Sequence, residues 1–384
     1  MKSDKTTPNV PTLRFAEFAG EWQDTTLGNV CVYRKTRRTA EKKNYISTEN
    51  ILQNYQGVER FTSNESISGD GFNKNDILMG NIRPYLKKVY YADFDGVCNA
   101  DVLVFKSNFI NPHFLYCRLA NDTFINYVMK SVKGSKMPRG DKSHIMQYPL
   151  SIPGEAEQSK ISNFIELLTS RIQVQNKIIS KYETLIKGIY HDFFSKPADY
   201  AIKIKDLIIK GKAGGTPSST VAQYYNGDIP FLSISDMTKQ GKYVSYTEKH
   251  ISKSGIENSS AWIVPSNSLI FSMYASVGLV CINTVPLATS QAMFSMLLKD
   301  HKMIEYIYYY LNFFRETKIH RYIETGTQSN INAETVRNID IPFQSNHLKL
   351  VETLNSIEKR LNNEKDMLSL LLDLKAYLLS KLFI

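Results

Sequence analysis

No run of the 384-residue chain approaches the roughly 18 consecutive apolar residues that a membrane-spanning helix needs, so no such span is expected. The opening MKSDKTTPNVPTLRF has lysines but no apolar stretch behind them. A secretory leader is therefore not expected, and the cytoplasm is the default location. Cysteine is scarce: Cys31, Cys98, Cys117 and Cys281 lie far apart without a C-x-x-C pair. That spacing argues against a disulfide framework or a zinc site and leaves them as small buried hydrophobes.

Signatures of catalysis are missing as well. The glycine-rich segment Gly211-Lys212-Ala213-Gly214-Gly215-Thr216 lacks the closing lysine of a phosphate-binding loop. The nearest match to an adenine methyltransferase signature, Asn111-Pro112-His113-Phe114, has His113 where a second proline is required, and no glycine-rich cofactor loop precedes it. Glu41-Lys42-Lys43 fits half of a nuclease motif without the Pro-Asp that should come before it. The seven histidines show no H-x-x-x-H pairing.

A positive excess is present: formal net charge +10, pI about 9.1. Such an excess favours a polyanionic partner, most often nucleic acid, through counterion release.

The organising feature is an internal repeat. Residues 155–195 and 344–384 superpose without a gap at an offset of 189, placing Arg171 on Arg360 and Leu185 on Leu374. In the first segment Ile161, Ile165, Leu168, Ile172, Gln175, Ile179, Tyr182, Ile186, Ile189 and Phe193 keep a strict 4-3-4-3 spacing, a heptad seam. Leu350, Leu354, Ile357, Leu361, Glu364, Leu368, Leu371, Lys375, Leu378 and Leu382 keep the same spacing in the second. Two helices with matching seams can bury each other. Gln175 and Glu364 share a seam position, where a polar residue sets register or simply meets solvent. Ile161 to Phe193 alone spans roughly 50 Å at 1.5 Å per residue, a rod able to act as a ruler.

The repeat continues weakly ahead of each helix. NYISTENI (44–51) lies over PFLSISDM (230–237), NDILMG (75–80) over NSLIFS (267–272), FLYCRL (114–119) over YIYYYL (306–311), and PLSIP (149–153) over NIDIP (338–342). The chain thus reads as a module over 1–154, a helix over 155–195, a second module over 196–343 and a helix over 344–384. DVLVFK (101–106) and AMFSMLL (292–298) alternate like strands, and one helix is expected in each module, near 112–130 and 303–318. The expected class is α+β: two repeated mixed modules separated by two long antiparallel coiled-coil helices.

Candidate DNA contacts follow from loops that combine charge, amides and glycine. In the first module these are the basic run Arg34, Lys35, Arg37 and Arg38 after a strand, then Arg83, Tyr85 and Lys87 around Pro84, then the glycine-hinged Gly134, Ser135, Lys136 and Arg139. Arginine pairs bidentately with guanine, and backbone amides grip phosphates. A solvated charged loop, or a core role for Tyr85, is the alternative. In the second module Lys212, Gly214, Gly215 and Thr216 take the place of the basic run, the glycines allowing close backbone approach to DNA or merely a flexible loop. Tyr274 and Gln291 sit in small, polar stretches that line either a binding face or a buried network. Gly326, Thr327, Gln328, Ser329 and Asn330 match the first module's glycine-hinged loop but carry amides instead of charge, so the modules should prefer different bases.

With this layout the chain resembles the specificity subunit of bacterial type I restriction-modification enzymes over nearly its whole length. The carriers are WQDTTLG (22–28), Arg83-Pro84-Tyr85-Leu86, Gly214-Gly215-Thr216-Pro217, Ala288-Thr289-Ser290-Gln291, and the Ile152-Pro153 and Ile341-Pro342 pairs entering the helices. The resemblance implies two target recognition domains reading the halves of a split double-stranded DNA site, and a helix pair that fixes the gap and docks two methyltransferase subunits. It implies no cofactor in this chain, with S-adenosylmethionine, ATP and Mg2+ in the methyltransferase and motor-nuclease subunits. Ala275 stands where the first module has Arg83, so base contacts do not transfer between modules. The other readings are a coiled-coil adaptor for proteins and a solitary methyltransferase or endonuclease.

Overall fold

A computed structural model describes residues 9–274, 276–323 and 330–384. The chain divides into two compact units, Met1–Lys177 with Asp366–Ile384, and Ile178–Lys365. Each long helix, Glu155–Phe194 and His347–Lys381, is therefore shared between the units.

The units follow the same plan. The first opens on the strand Gln23–Thr26, paired antiparallel with Pro149–Ile152. The second opens on Tyr200–Lys203, paired in the same way with Asp340–Phe343. A four-residue helical turn follows in both, Leu27–Val30 and Ile204–Leu207. An edge strand then joins the main sheet, Cys31–Tyr33 against Val102–Ser107 and Ile208–Ala213 against Met293–Leu298. Beside each main sheet lies a second, four-stranded one containing a parallel pair, Tyr45–Ile46 with Gly96–Cys98 and Tyr225–Leu232 with Leu287–Thr289. The class is mixed α and β.

The seam explains why the long helices need partners. In the first unit Ile161 and Ile165, each 1% exposed, join Leu378, Leu382 and Phe383 in one core. In the second, Ile186, Ile189, Tyr190 and Phe193 meet Leu350 and Leu354. Within each unit the start of one helix thus packs on the end of the other, which is antiparallel pairing. Ile172, Ile179 and Leu361 are buried, Leu168, Ile357, Glu364 and Leu368 half-buried, and Gln175 fully buried. An alternating 4-3 spacing keeps one stripe facing the partner, so period and burial coincide.

One expectation needs correction. Residues 112–130 form two helices rather than one, Pro112–Leu119 and Asp122–Met129. The side chain of Asn121 accepts from Thr123 N and starts the second, because asparagine caps a helix better than it continues one. The matching stretch in the second module, without such a cap, stays continuous as Ile304–Thr317.

Candidate nucleic-acid interface

At the end of the strand Ile77–Gly80 three loops of the first unit meet. Asn81 N donates to Asp101 O at 2.8 Å and Arg83 N to Pro138 O at 2.8 Å. Lys133 and Arg139 exchange two backbone hydrogen bonds of 2.9 Å, closing 133–139 into a small hairpin. Ile82 bridges to Arg139. Gly134, at φ +91°, makes the bend that a side chain would resist. Ser135, Lys136 and Met137 form the exposed tip, and Arg83 is exposed beside it.

The second unit builds the same corner. Met273 N donates to Ala292 O at 2.7 Å, Ile331 N donates to Met273 O at 3.0 Å, and Tyr274 bridges to Asn330. These positions match Asn81, Asp101 and Ile82 at offsets of 192, 191 and 192. Gln291 reaches this corner through Thr216, whose hydroxyl donates to its side-chain oxygen. Thr216, Tyr274, Gln291 and Asn330, far apart in sequence, therefore gather around one site. Gly326, Thr327, Gln328, Ser329 and Ala275 lie outside the described residues.

The glycines Gly214 and Gly215 serve a different purpose from the one expected. Both are buried, with Gly214 N donating to Met293 O at 3.1 Å and Gly215 N to Thr289 O at 2.9 Å. A Cβ at Gly214 would collide with the Thr289 carbonyl and hydroxyl, and one at Gly215 with Ser260. The close approach they permit is to the protein's own backbone, at Thr289 and Ser260. Gly214→Ala should therefore destabilise the second unit by about 1–3 kcal/mol, read as a drop in melting temperature of the purified chain. An unchanged melting temperature would mean that the loop yields at no cost.

The basic run is likewise corrected. Arg34 is not displayed on a loop: its Nε lies 2.6 Å from Asp76 Oδ2 and its Nη2 3.2 Å from Oδ1, with the carboxylate only 5% exposed. Two hydrogen bonds to a buried acid leave its guanidinium committed inside the protein. Arg37 and Arg38 belong to the strand Arg37–Glu41, with Arg38 donating to Asn73. Lys35 remains exposed. Lys87 pairs with Asp122 at 2.7 Å, Lys133 with Asp141 at 2.5 Å and Arg139 with Asp101 at 3.2 Å. Sequence reasoning missed these acids, because a carboxylate's partner is set by the fold. Tyr85 is 48% exposed, not core.

Charge is unequal between the modules. Residues 1–154 hold 21 Lys and Arg against 15 Asp and Glu, and 196–343 hold 15 against 12. Lys133 with Asp141 also sets a pH response: the lysine's hydrogen bond and the amides of His144 and Ser143 hold Asp141 down at about 2. The Asp141 carboxylate thus keeps its charge until well below the neutral range.

The residues considered for chemistry have structural roles. Asn111 caps the helix Pro112–Leu119, its side chain accepting from His113 N and Phe114 N. The four cysteines are buried and unbridged, burial pushing the Cys31, Cys98 and Cys117 thiols up to about 12. Among the described residues no three His, Cys, Asp or Glu are grouped to hold a metal, and no helix is long and apolar enough to cross a membrane.

Comparison with known proteins gives this repeated architecture a family. The model of the type I restriction modification DNA specificity domain matches twice, over residues 19–184 and 199–367. The HindI specificity subunit of Haemophilus influenzae is 22% identical, the alignment covering 91% of this chain and 98% of the relative. The MjaIX specificity subunit of Methanocaldococcus jannaschii is 28% identical over 193 residues, 48% of this chain and 43% of the relative, so the match spans less than half of that protein. In fold the chain is similar to the type I restriction-modification S subunit of M. genitalium, with a TM-score of 0.58, 14% identity and coverage of 98% and 99% of the two chains. The chain belongs to the type I restriction modification DNA specificity domain family and carries that domain twice in one polypeptide.

Proposed function

We propose that the chain is a non-catalytic subunit that reads a bipartite double-stranded DNA target, one half-site per module, through the three-loop corners. The observation that carries this reading is the corner itself: one matching backbone hydrogen bond, Asn81 N to Asp101 O and Met273 N to Ala292 O, and one matching bridge, Ile82 with Arg139 and Tyr274 with Asn330, built twice under different side chains. A conserved frame with variable decoration suits two readers of different sequence. The first corner presents Arg83 and Lys136, with Arg139 at its edge and Lys35 elsewhere on the same module. The second presents Tyr274, Gln291 and Thr216, with Asn330 in the bridge. Cations supply phosphate contacts and guanine pairing, and amides suit adenine edges.

In this reading the bound DNA is passed to partners in the cytoplasm: two modification subunits that methylate adenine with S-adenosylmethionine, and motor-nuclease subunits that use ATP and Mg2+. The long helices offer them a surface. Beyond the buried seam, Phe164, Leu167 and Val174 on one helix and Met367, Leu370, Leu374 and Tyr377 on the other are exposed, at spacings that keep each set on one helix face. Large exposed apolar stripes mark protein interaction sites. An adaptor role is thereby absorbed into the assembly rather than opposed to it.

The test is an exchange of residues 1–154 for those of a relative, followed by methylome sequencing of a host that expresses the partners. One half of the recognised site should change completely while the other half and the unread gap stay the same. If both halves changed, or neither, independent reading by the modules would be wrong. Binding by the assembled complex should also weaken steeply with salt, as phosphate neutralisation requires, whereas an adaptor that binds only protein would show no such slope.

A further inference from the structure

Seven described residues other than glycine have a left-handed backbone. Four are asparagines, which tolerate it well. The remaining three, Tyr55 at φ +61°, Arg83 at +52° and Lys87 at +55°, meet in one place, together with Asn54 at +54°. Asn54 N donates to Leu86 O at 3.2 Å and Tyr55 N to Lys87 O at 3.0 Å, so the turn at 54–55 lies along the turn at 83–87. The latter is closed by Leu86 N on Arg83 O and Lys87 N on Pro84 O, each 2.9 Å. One carboxylate fastens the two turns together: Asp122 accepts from the Tyr55 hydroxyl at 3.0 Å and from Lys87 Nζ at 2.7 Å.

Strain of this kind on a tyrosine, an arginine and a lysine persists only where the surroundings over-determine it, and it clusters at binding sites. Here it displays a short turn whose buried residue is Pro84 and whose exposed residues are Arg83 and Tyr85. Among the described residues the Arg83 side chain has neither an ion pair nor a hydrogen bond, whereas Lys87, Lys133 and Arg139 nearby are all paired. The strained turn and its acid thus aim one uncommitted guanidinium outward, next to the hairpin at 133–139.

We propose that Arg83 reads a guanine in the first half-site and that Asp122 is the positioning residue that holds its turn in the reading conformation. This rests on the DNA-reading function above and names the group that sets one base. Arginine's rigid fork matches the two acceptors of guanine, and a turn ordered before binding loses less freedom on binding. The second module has Ala275 in place of Arg83 and Phe314 in place of Asp122, so the device belongs to one module. The second half-site is then an internal control in the same experiment.

Arg83→Ala, Asp122→Ala and Asp122→Asn are expressed as the full chain with its modification subunits, and each methylome is sequenced. Arg83→Ala should relax one position of the first half-site, with discrimination there falling about tenfold or more. Asp122→Ala should relax the same position to a smaller extent. Asp122→Asn, whose amide oxygen still accepts from Tyr55, should fall between Asp122→Ala and the parent chain. The second half-site and the gap should not move, and melting temperatures confirm that each variant is folded. An unchanged recognition sequence in Arg83→Ala, or a uniform loss of methylation at an unchanged sequence in Asp122→Ala, overturns the proposal. If exchange of 1–154 still redirects one half-site while these variants do not, only the clamp is wrong. If the exchange redirects neither half, the module reading falls with it.

Discussion

Leu354→Ala is expected to destabilise the second unit by about 2–5 kcal/mol, the range for emptying a buried leucine site. Leu354 is fully buried in the core that also holds Tyr190, Phe193, Tyr309 and Phe313. Neighbours drawn from a sheet-bearing module and from the other long helix cannot collapse into the space a leucine leaves. For a unit of this size about 2–4 °C is lost per kcal/mol, so the unit's melting point should fall by about 4–20 °C. Ile165 occupies the matching seam position of the first helix and is 1% exposed in the other core. Ile165→Ala should therefore produce the same loss in the first unit. Calorimetry with hydrogen exchange reads both: each variant should expose amides of its own unit, where the deleted side chain packed. Equal exposure of both units by either variant would show that they unfold together and that the two cores are not independent.

These two residues were visible in the sequence because a seam encodes burial as period. The stripe on each helix must face its partner every 3.5 residues, so Ile165 and Leu354 stand out before any coordinates exist. A matching element at the end of each module was legible for a similar reason, since PLSIP and NIDIP repeat in the same place before a helix, while the strand that each pairs with is set by the fold. The corners were legible only in part. Tyr274, Thr216 and Gln291 were picked for their chemistry, but what joins them is the side-chain hydrogen bond from Thr216 to Gln291, 75 positions on, and the backbone bond from Met273 N to Ala292 O, neither of which composition records. Arg34 looked like its neighbours Lys35 and Arg37, yet Asp76, 42 residues on, removes it from the surface. The glycine pair at 214–215 marked a close approach correctly in kind, while its object, Thr289, lay hidden in the sheet order. Nothing in a tyrosine, arginine or lysine signals a left-handed backbone, so the node at Tyr55, Arg83 and Lys87 emerges only from the fold.

Lys242 should give the other large effect. Its side chain is 9% exposed, and the ammonium lies 2.7 Å from Glu358, 3.2 Å from Glu305 and 2.9 Å from the Tyr309 hydroxyl, with the Tyr309 ring centre at 4.5 Å. One charge thus ties the second long helix, through Glu358 and Asn355, to the module's Glu305 and Tyr309. Lys242→Met keeps the length of the side chain but leaves two carboxylates, each 20% exposed, without a cation. Removing one member of a buried ion-pair cluster costs about 3–5 kcal/mol. The pH dependence identifies the cause. Burial alone would raise the Glu305 carboxyl, but hydrogen bonds from Asn355 and Tyr243 and the charge of Lys242 outweigh it and hold the group below its ordinary 4.5. A depressed carboxylate adds stability that is present above 4.5 and is lost as pH falls through the lower folded value. In Lys242→Met that depression shrinks, and protonation instead relieves two facing negative charges. The stability difference between parent and variant, measured by urea unfolding, should therefore be widest near neutrality and narrow as pH approaches about 4. A difference that stays constant with pH would assign the loss to packing among the tyrosines. On the proposed reading of one half-site per module, recognition should fail in the same order: the half-site assigned to the module this lysine anchors weakens first, while the one assigned to the first module, with its separate core, is still read.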